Sequence, residues 1–279
     1  EHGNITKIND IECDLVFDCT GFRRELIGKL YKSEWKSYQD CLPIKRAIPF
    51  FLPPEDKPYT QAIAMKYGWV WKIPLQHRCG AGYIFDSDYI TDEEAFAEAK
   101  EMFPNIEYTR TIKFDAGRFK QTWIKNCIAV GLSSGFTEPL EATSIWMATE
   151  QLKLLETFID VMFTNDEDTK KDYNEVIANN NDMVMEFLHY HYMTKRDDSP
   201  FWKEFRKKNV LAKFNAKLEQ IQKGNLRWYH TTGGKLTSTF NLMSWLHVGE
   251  GQGLIKDISI EGYENLNPTV EEYGRHLPR

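Results

Sequence analysis

Residues 68–75 read Gly-Trp-Val-Trp-Lys-Ile-Pro-Leu, GWVWKIPL, with two tryptophans one residue apart and a proline ending the run. The β-branched and aromatic content favours a strand. A strand alternates its side chains between two faces, so Trp69, Trp71 and Ile73 share one face while Val70 and Lys72 share the other. Three bulky apolar side chains in a row make a wall. Such a wall either packs a core or separates two compartments, and on these residues alone core packing is the preferred reading.

Outward from this strand, further strand-like stretches near 47–52, 60–66 and 80–85 predict a β-sheet around it. Upstream, CDLVFDCTGF (13–22) predicts a short buried strand ending at Thr20-Gly21. Downstream, TDEEAFAEAKEMF (91–103) reads as an amphipathic helix opened by a Thr91–Glu94 capping box. Strands are expected again at 107–115, 118–123 and 126–131. Helix is expected at 141–163, 167–193, 199–208 and 210–222, and the Gly-, Thr- and Asn-rich tail from Gly224 takes no assignment. The pattern is a mixed α/β chain, strand-rich over about 1–150 and mostly helical over 151–279.

The 279 residues, 42% hydrophobic and 14% aromatic, suffice for one large domain or two small ones. A formal charge of −6 argues against a nucleic-acid partner. No apolar run approaches the roughly 20 residues of a membrane helix, and the polar start EHGNITKIND resembles no signal peptide. The five cysteines include no C-x-x-C pair, and Cys13, Cys19 and Cys127 fall in apolar strand-like runs. A reduced, cytoplasmic, soluble protein without disulfides or a zinc site is expected. No G-x-G-x-x-G follows a strand; GGK (233–235) lacks the rest of a P-loop, and GEGQG (249–253) has no evident strand before it.

The densest stretch is NCIAVGLSSGFTEPLEATSIW (126–146). A buried strand reaches Gly131, a loop of small residues follows, and Pro139 precedes a helix expected to open near Glu141. The order strand, glycine loop, helix also occurs at Gly21, and each loop can offer backbone N–H groups to an anion. Glu141 suits a helix start, and Thr143 and Ser144 bring hydroxyls and first-turn amides. By residue type alone, Glu141 is simply a well-placed carboxylate.

Together the two stretches are more specific. Trp69-Val70-Trp71-Lys72-Ile73-Pro74 matches the W-x-W-x-I-P signature of the flavin-dependent halogenases, the family that includes the tryptophan halogenases. GLSSGFTEPLEATSIW resembles that family's second flavin-site block. DLVFDCTGFRR is similar to its earlier threonine-glycine turn, and HYHYMTKRDDSPFW (189–202) to a further family segment. The resemblance runs from about residue 11 to 202, and more weakly to 253. It implies a glutathione-reductase-type FAD unit, akin to the flavin monooxygenases, with a helical substrate lid after about residue 150. In such enzymes FAD, reduced by a separate flavin reductase, meets O2 to give a flavin hydroperoxide. Halide (chloride, bromide or iodide) attacks it, and hypohalous acid passes through a tunnel to an aromatic substrate.

On this resemblance Glu141 is the catalytic glutamate, acting when the aromatic ring loses its proton. Trp69, Trp71, Ile73 and Pro74 line the tunnel, and the tryptophans keep flavin and substrate apart. Thr143 and Ser144 contact halide. Thr20, Gly21, Gly131, Leu132, Ser133 and Ile145 face the flavin, with Ser134 beside them.

Some of the family pattern is absent. The pyrophosphate-binding G-x-G-x-x-G turn and the catalytic lysine normally precede residue 1, so the chain resembles the C-terminal part of a larger enzyme; Lys72 fills a variable position and is not that lysine. Tryptophan-specific members carry a serine after the catalytic glutamate, where this chain has Ala142. They also carry Tyr-Tyr and Phe-Trp pairs near the C-terminus, whereas this tail offers RWYH (227–230) and Trp245. Phe201 and Trp202 are expected to be structural. An indole, phenol or similar compact aromatic is therefore favoured over free tryptophan. An aromatic flavin monooxygenase of the same fold, and a non-catalytic remnant that binds an aromatic ligand or a partner, are the alternatives; a homodimer or higher oligomer is left open.

Overall fold

The computed structural model describes residues 3–164, 166–205, 219 and 240–254. Helix expected at 206–208 and 210–222 (apart from residue 219), RWYH and GGK lie outside the described residues. The chain divides into two compact units, Glu1–Tyr192 with Arg196–Val210, and Met193–Lys195 with Leu211–Arg279.

The first unit runs β1 (Lys7–Ile8), β2 (Ile11–Glu12), β3 (Val16–Asp18), β4 (Trp35–Ser37), β5 (Arg46–Leu52), β6 (Gln61–Ala64), β7 (Gly68–Pro74) and β8 (Cys79–Phe85). After α1 (Asp92–Met102) come β9 (Ile112–Lys113), β10 (Gly117–Phe119), β11 (Trp123–Ile124), β12 (Cys127–Ala129) and β13 (Gly135–Phe136). Three helices follow: α2 (Thr143–Thr157), α3 (Glu167–His191) and α4 (Pro200–Phe205). In the second unit α5 (Leu242–Gly251) ends in a Schellman turn: Gly253, at φ +66°, and Leu254 donate to the Glu250 and Gly249 carbonyls at 2.8 Å each. That turn accounts for the last glycine of GEGQG, Gly253.

The largest sheet has five strands in the order β6-β7-β8-β5-β9, antiparallel throughout. Its alternation is set by what each face meets. Val70 of β7, Ile48 and Phe50 of β5, and Ala81, Tyr83 and Phe85 of β8 form one core with Ala95 and Ala99 of α1. The two alanines, four apart, put a narrow stripe of α1 onto the sheet. The capping box is present: Glu94 N donates to Thr91 Oγ1 at 3.3 Å and Thr91 N to Glu94 Oε2 at 3.0 Å.

A second sheet, β11-β12-β3, contains the parallel pair β3 and β12, with Asp18 opposite Ala129. The strand β12 is apolar on both faces. Ile128 joins Trp123, Leu155, Tyr173 and Ile177 under α2 and α3, while Cys127 and Ala129 join Val16, Ile27 and Phe119. The long helix α3 is tied to the sheets by Asp182, which takes Arg118 bidentately at 2.9 and 3.0 Å, the Tyr38 hydroxyl at 2.5 Å and Lys36 at 3.0 Å. All five cysteines are free; Cys127 is buried, but Cys19, expected inside a strand, is exposed just beyond the end of β3. Among the described residues no helix is long and apolar enough to cross a membrane, and no group of His, Cys, Asp and Glu could hold a metal.

Candidate functional site

Two glycine turns stand side by side at the carboxyl ends of the parallel strands, where crevices of α/β sheets bind ligands. After β3, Gly21 has φ +65°, and after β12, Gly131 has φ +64°; each opens a short 3₁₀ turn, Gly21–Arg23 and Gly131–Ser133. Ser133 joins them, its Oγ accepting from Gly21 N at 2.8 Å. The Gly131 N–H donates to Gln151 Oε1 of α2 at 2.9 Å. The first turn is built on Asp18, which accepts from Thr20 Oγ1 at 2.6 Å, Thr20 N at 3.0 Å, and Leu26 N and Ile27 N at 2.9 Å. Burial by itself would raise the Asp18 pKa, but these four donors outweigh it and hold the carboxylate below its ordinary range. Beside these turns Leu132 is half-buried and Ile145, on the first turn of α2, is 75% exposed.

Glu141 stands ahead of the helix it was expected to open. The α-helix starts at Thr143, and Glu141 (φ +60°) and Ala142 (φ +52°) form a left-handed turn before it. Two successive non-glycine residues in this region are strained, and such strain collects at functional sites. A short 3₁₀ turn, Leu140–Ala142, follows Pro139, and the left-handed pair turns the chain into α2. The Glu141 carboxylate meets His191 Nε2 at 3.1 Å. This hydrogen bond outweighs partial burial and lowers the Glu141 pKa. Thr143 is buried, its hydroxyl 3.0 Å from that of Thr137. Ser144 Oγ is buried with no hydrogen-bond partner, in the first turn of α2.

The tryptophans lie on the face of β7 turned away from the α1 core, since neither belongs to that cluster. The strip grades from 6% exposed at Trp69, through half-buried Trp71, to 41% at Ile73. Trp71 lies opposite Gly82, and Ile73 opposite Gly80. A Cβ on Gly82 would lie 2.1 Å from the Trp71 ring, so the missing side chain is what lets the indole lie over β8. Lys72 points to the other face, pairs with Glu55 and lies 5.9 Å from the centre of the Phe103 ring.

A buried chain of hydrogen bonds joins this strand to the Glu141 turn. Trp69 Nε1–H donates to Tyr192 Oη at 3.1 Å, and Tyr192 Oη donates to Glu138 Oε2 at 2.6 Å. Full burial pushes the Glu138 carboxyl up to about 8, the Tyr192 contact opposing only in part, and its Oε1 has no partner. Phe201 and Trp202 are buried, with Trp202 Nε1 donating to the Met65 carbonyl at 2.8 Å.

Asp18, Gly82, Glu138, His191 and Tyr192 were not singled out as site residues from the sequence. For Asp18 and Gly82 the sequence held a signal. Asp18 precedes Thr20 by two, the spacing of an Asx turn. Gly80 and Gly82 alternate in CGAGYIF as the tryptophans do in GWVWKIP.

The sequence matches the family model described as tryptophan halogenase over residues 2–266. It is 33% identical over 239 residues to the tryptophan 7-halogenase KtzQ of Kutzneria sp. (strain 744), a match covering 80% of this chain and 44% of that protein. It is 36% identical over 230 residues to the tryptophan 6-halogenase SttH of Streptomyces toxytricini, covering 79% and 42%. The structure matches that of the tryptophan 5-halogenase MibH with a TM-score of 0.80 at 28% identity, over 88% of this chain and 49% of that one. The chain spans less than half the length of these relatives.

Proposed function

Because the chain belongs to the tryptophan halogenase family, we propose that it serves a flavin-dependent halogenase acting on a compact aromatic such as an indole or phenol. The observation that carries this reading is the position of the tryptophan strip, which faces away from the sheet's core yet is tied to the Glu141 turn through Tyr192 and Glu138.

The residues present fit the flavin ring and the halide. The paired glycine turns, with Leu132 and exposed Ile145 beside them, offer an apolar surface at the carboxyl ends of two parallel strands. Thr20, Gly21, Gly131, Leu132, Ser133 and Ile145 would hold the ring of FAD. In this reading residues 1–150 belong to a glutathione-reductase-type module and 151–279 to a substrate lid. The unpartnered Ser144 hydroxyl, beside Thr143 at a helix N-terminus, suits a small anion. Reduced FAD, supplied by a separate reductase, would bring the oxygen chemistry that makes halide electrophilic.

This chain's own residues then do three things. Trp69 and Trp71 keep the aromatic substrate and bulk water away from the flavin side, with Ile73 and Pro74 continuing the passage. Thr143 and Ser144 hold the halide. Glu141, ionised and kept so by His191, takes the proton from the ring carbon that has gained halogen, and its charge stabilises the cationic ring before that proton leaves.

The test is product formation by the protein expressed in its complete reading frame, given reduced FAD, O2 and an indole, with and without bromide. A brominated product that disappears without bromide is expected. An oxygenated product formed equally without bromide would instead make the protein an aromatic monooxygenase.

A further inference from the structure

The last two residues of the HYHY segment each reach one of the two glutamates in Glu138-Pro139-Leu140-Glu141. Tyr192 takes the buried Glu138, and His191, the final residue of α3, takes the exposed Glu141. The imidazole is fixed on three sides. Its Nδ1 lies 2.9 Å from the Phe187 carbonyl one turn earlier, its ring stands edge-on to Phe187 at 4.9 Å, and its Nε2 meets Glu141 Oε1 at 3.1 Å.

The two nitrogens both face acceptors. A backbone carbonyl can only accept, so Nδ1 carries a proton. An ionised carboxylate can only accept, so Nε2 is placed to donate to it. The C-terminus of α3, with its negative dipole end, favours a donor ring at this position. His191 is the hydrogen-bond partner and the charged neighbour found for Glu141 among the described residues. No side chain caps the strained turn in which Glu141 sits.

We propose that His191 is a positioning residue: donating from Nε2 at the end of α3, it holds the Glu141 carboxylate ionised and aimed, and so sets the general base of the reaction. This rests on the reading of Glu141 given above. The proton accepted by Glu141 leaves to solvent, to which that carboxylate is 43% exposed.

The pair can be tested without catalysis. In protein labelled with ¹³C at the glutamate carboxyls, the Glu141 signal is assigned by its loss in Glu141→Gln and titrated in wild type, His191→Phe and His191→Gln. The Glu141 midpoint is expected to rise in His191→Phe, where the Nε2–H donor is gone. In His191→Gln, where an amide N–H can still donate, a smaller rise is expected. A midpoint unmoved in both variants overturns the proposal, and a variant that fails to fold leaves the other to decide. In turnover, kcat should fall in His191→Phe with its acid limb moved up by the same interval, and recover in part in His191→Gln. If the titration moves while wild type makes no halogenated product, the pair stands and the halogenase reading fails.

Discussion

Replacing Glu138 by glutamine should stabilise the protein, and by more as the pH rises. The carboxyl is 1% exposed, its one hydrogen bond comes from Tyr192, and its free acid form persists up to about 8 against an ordinary 4.5. Between these values the unfolded chain releases a proton that the folded chain keeps. The unfolded state then binds fewer protons, so folding stability falls as pH rises. The penalty is absent below about 4.5, grows by about 1.4 kcal/mol per pH unit, and levels off above about 8. At pH 7 that is on the order of 3 kcal/mol, and at pH 9 on the order of 5 kcal/mol. Glutamine has the same shape, carries no charge, and can still accept from Tyr192, so it removes this penalty. Urea unfolding followed by tryptophan fluorescence at pH 5, 7 and 9 reads the difference, and titrations shared by both proteins cancel. The gap should widen steadily from pH 5 to pH 9. A gap that stays constant from pH 5 to pH 9 would mean that Glu138 is ionised in the folded protein and that the burial argument is wrong.

Gly82→Ala places a Cβ 2.1 Å from the Trp71 ring, so it should cost about 1–3 kcal/mol in unfolding free energy. In Trp71→Leu, where no indole overlies β8, the same substitution should cost much less; equal costs in both backgrounds would show that the ring does not lie there. Asp18→Ala removes the acceptor of four hydrogen bonds and should cost about 3 kcal/mol or more in thermal or urea unfolding. Asp18→Asn, which keeps one acceptor oxygen, should cost less and weaken FAD binding by the full-frame protein. Affinity unchanged in both variants would show that the Gly21 turn does not serve the cofactor.

The alternation in GWVWKIPL was enough to place the tryptophans on one face, because period 2 follows from strand geometry alone. The capping box at Thr91 was equally legible, since its two bonds are local. Which face met the core was not legible, because that depends on where α1 packs after a hairpin and a loop. The start of α2 was expected two residues early: Glu141 and Ala142 are ordinary helix formers, and only the tertiary route of the chain puts them in left-handed conformations. The Glu138–Tyr192 and Glu141–His191 contacts join residues 54 and 50 positions apart. Nothing in either segment alone announces such partners. The family resemblance marked the HYHY segment but gave it no task, and the helix end that brings it to both glutamates appears only in the fold.

The partition itself is tested most directly by peroxide released per halogenated product, measured in the complete reading frame at saturating halide with folding confirmed. Trp71→Leu thins the half-buried part of the strip, and Trp69→Phe keeps an aromatic ring while deleting the Nε1–H donor to Tyr192. If the strip divides flavin from substrate, halogenated product falls and peroxide per product rises several-fold in both variants, because water gains access to the flavin side. An unchanged ratio in stable, folded variants would contradict this and return Trp69 and Trp71 to the role of packing.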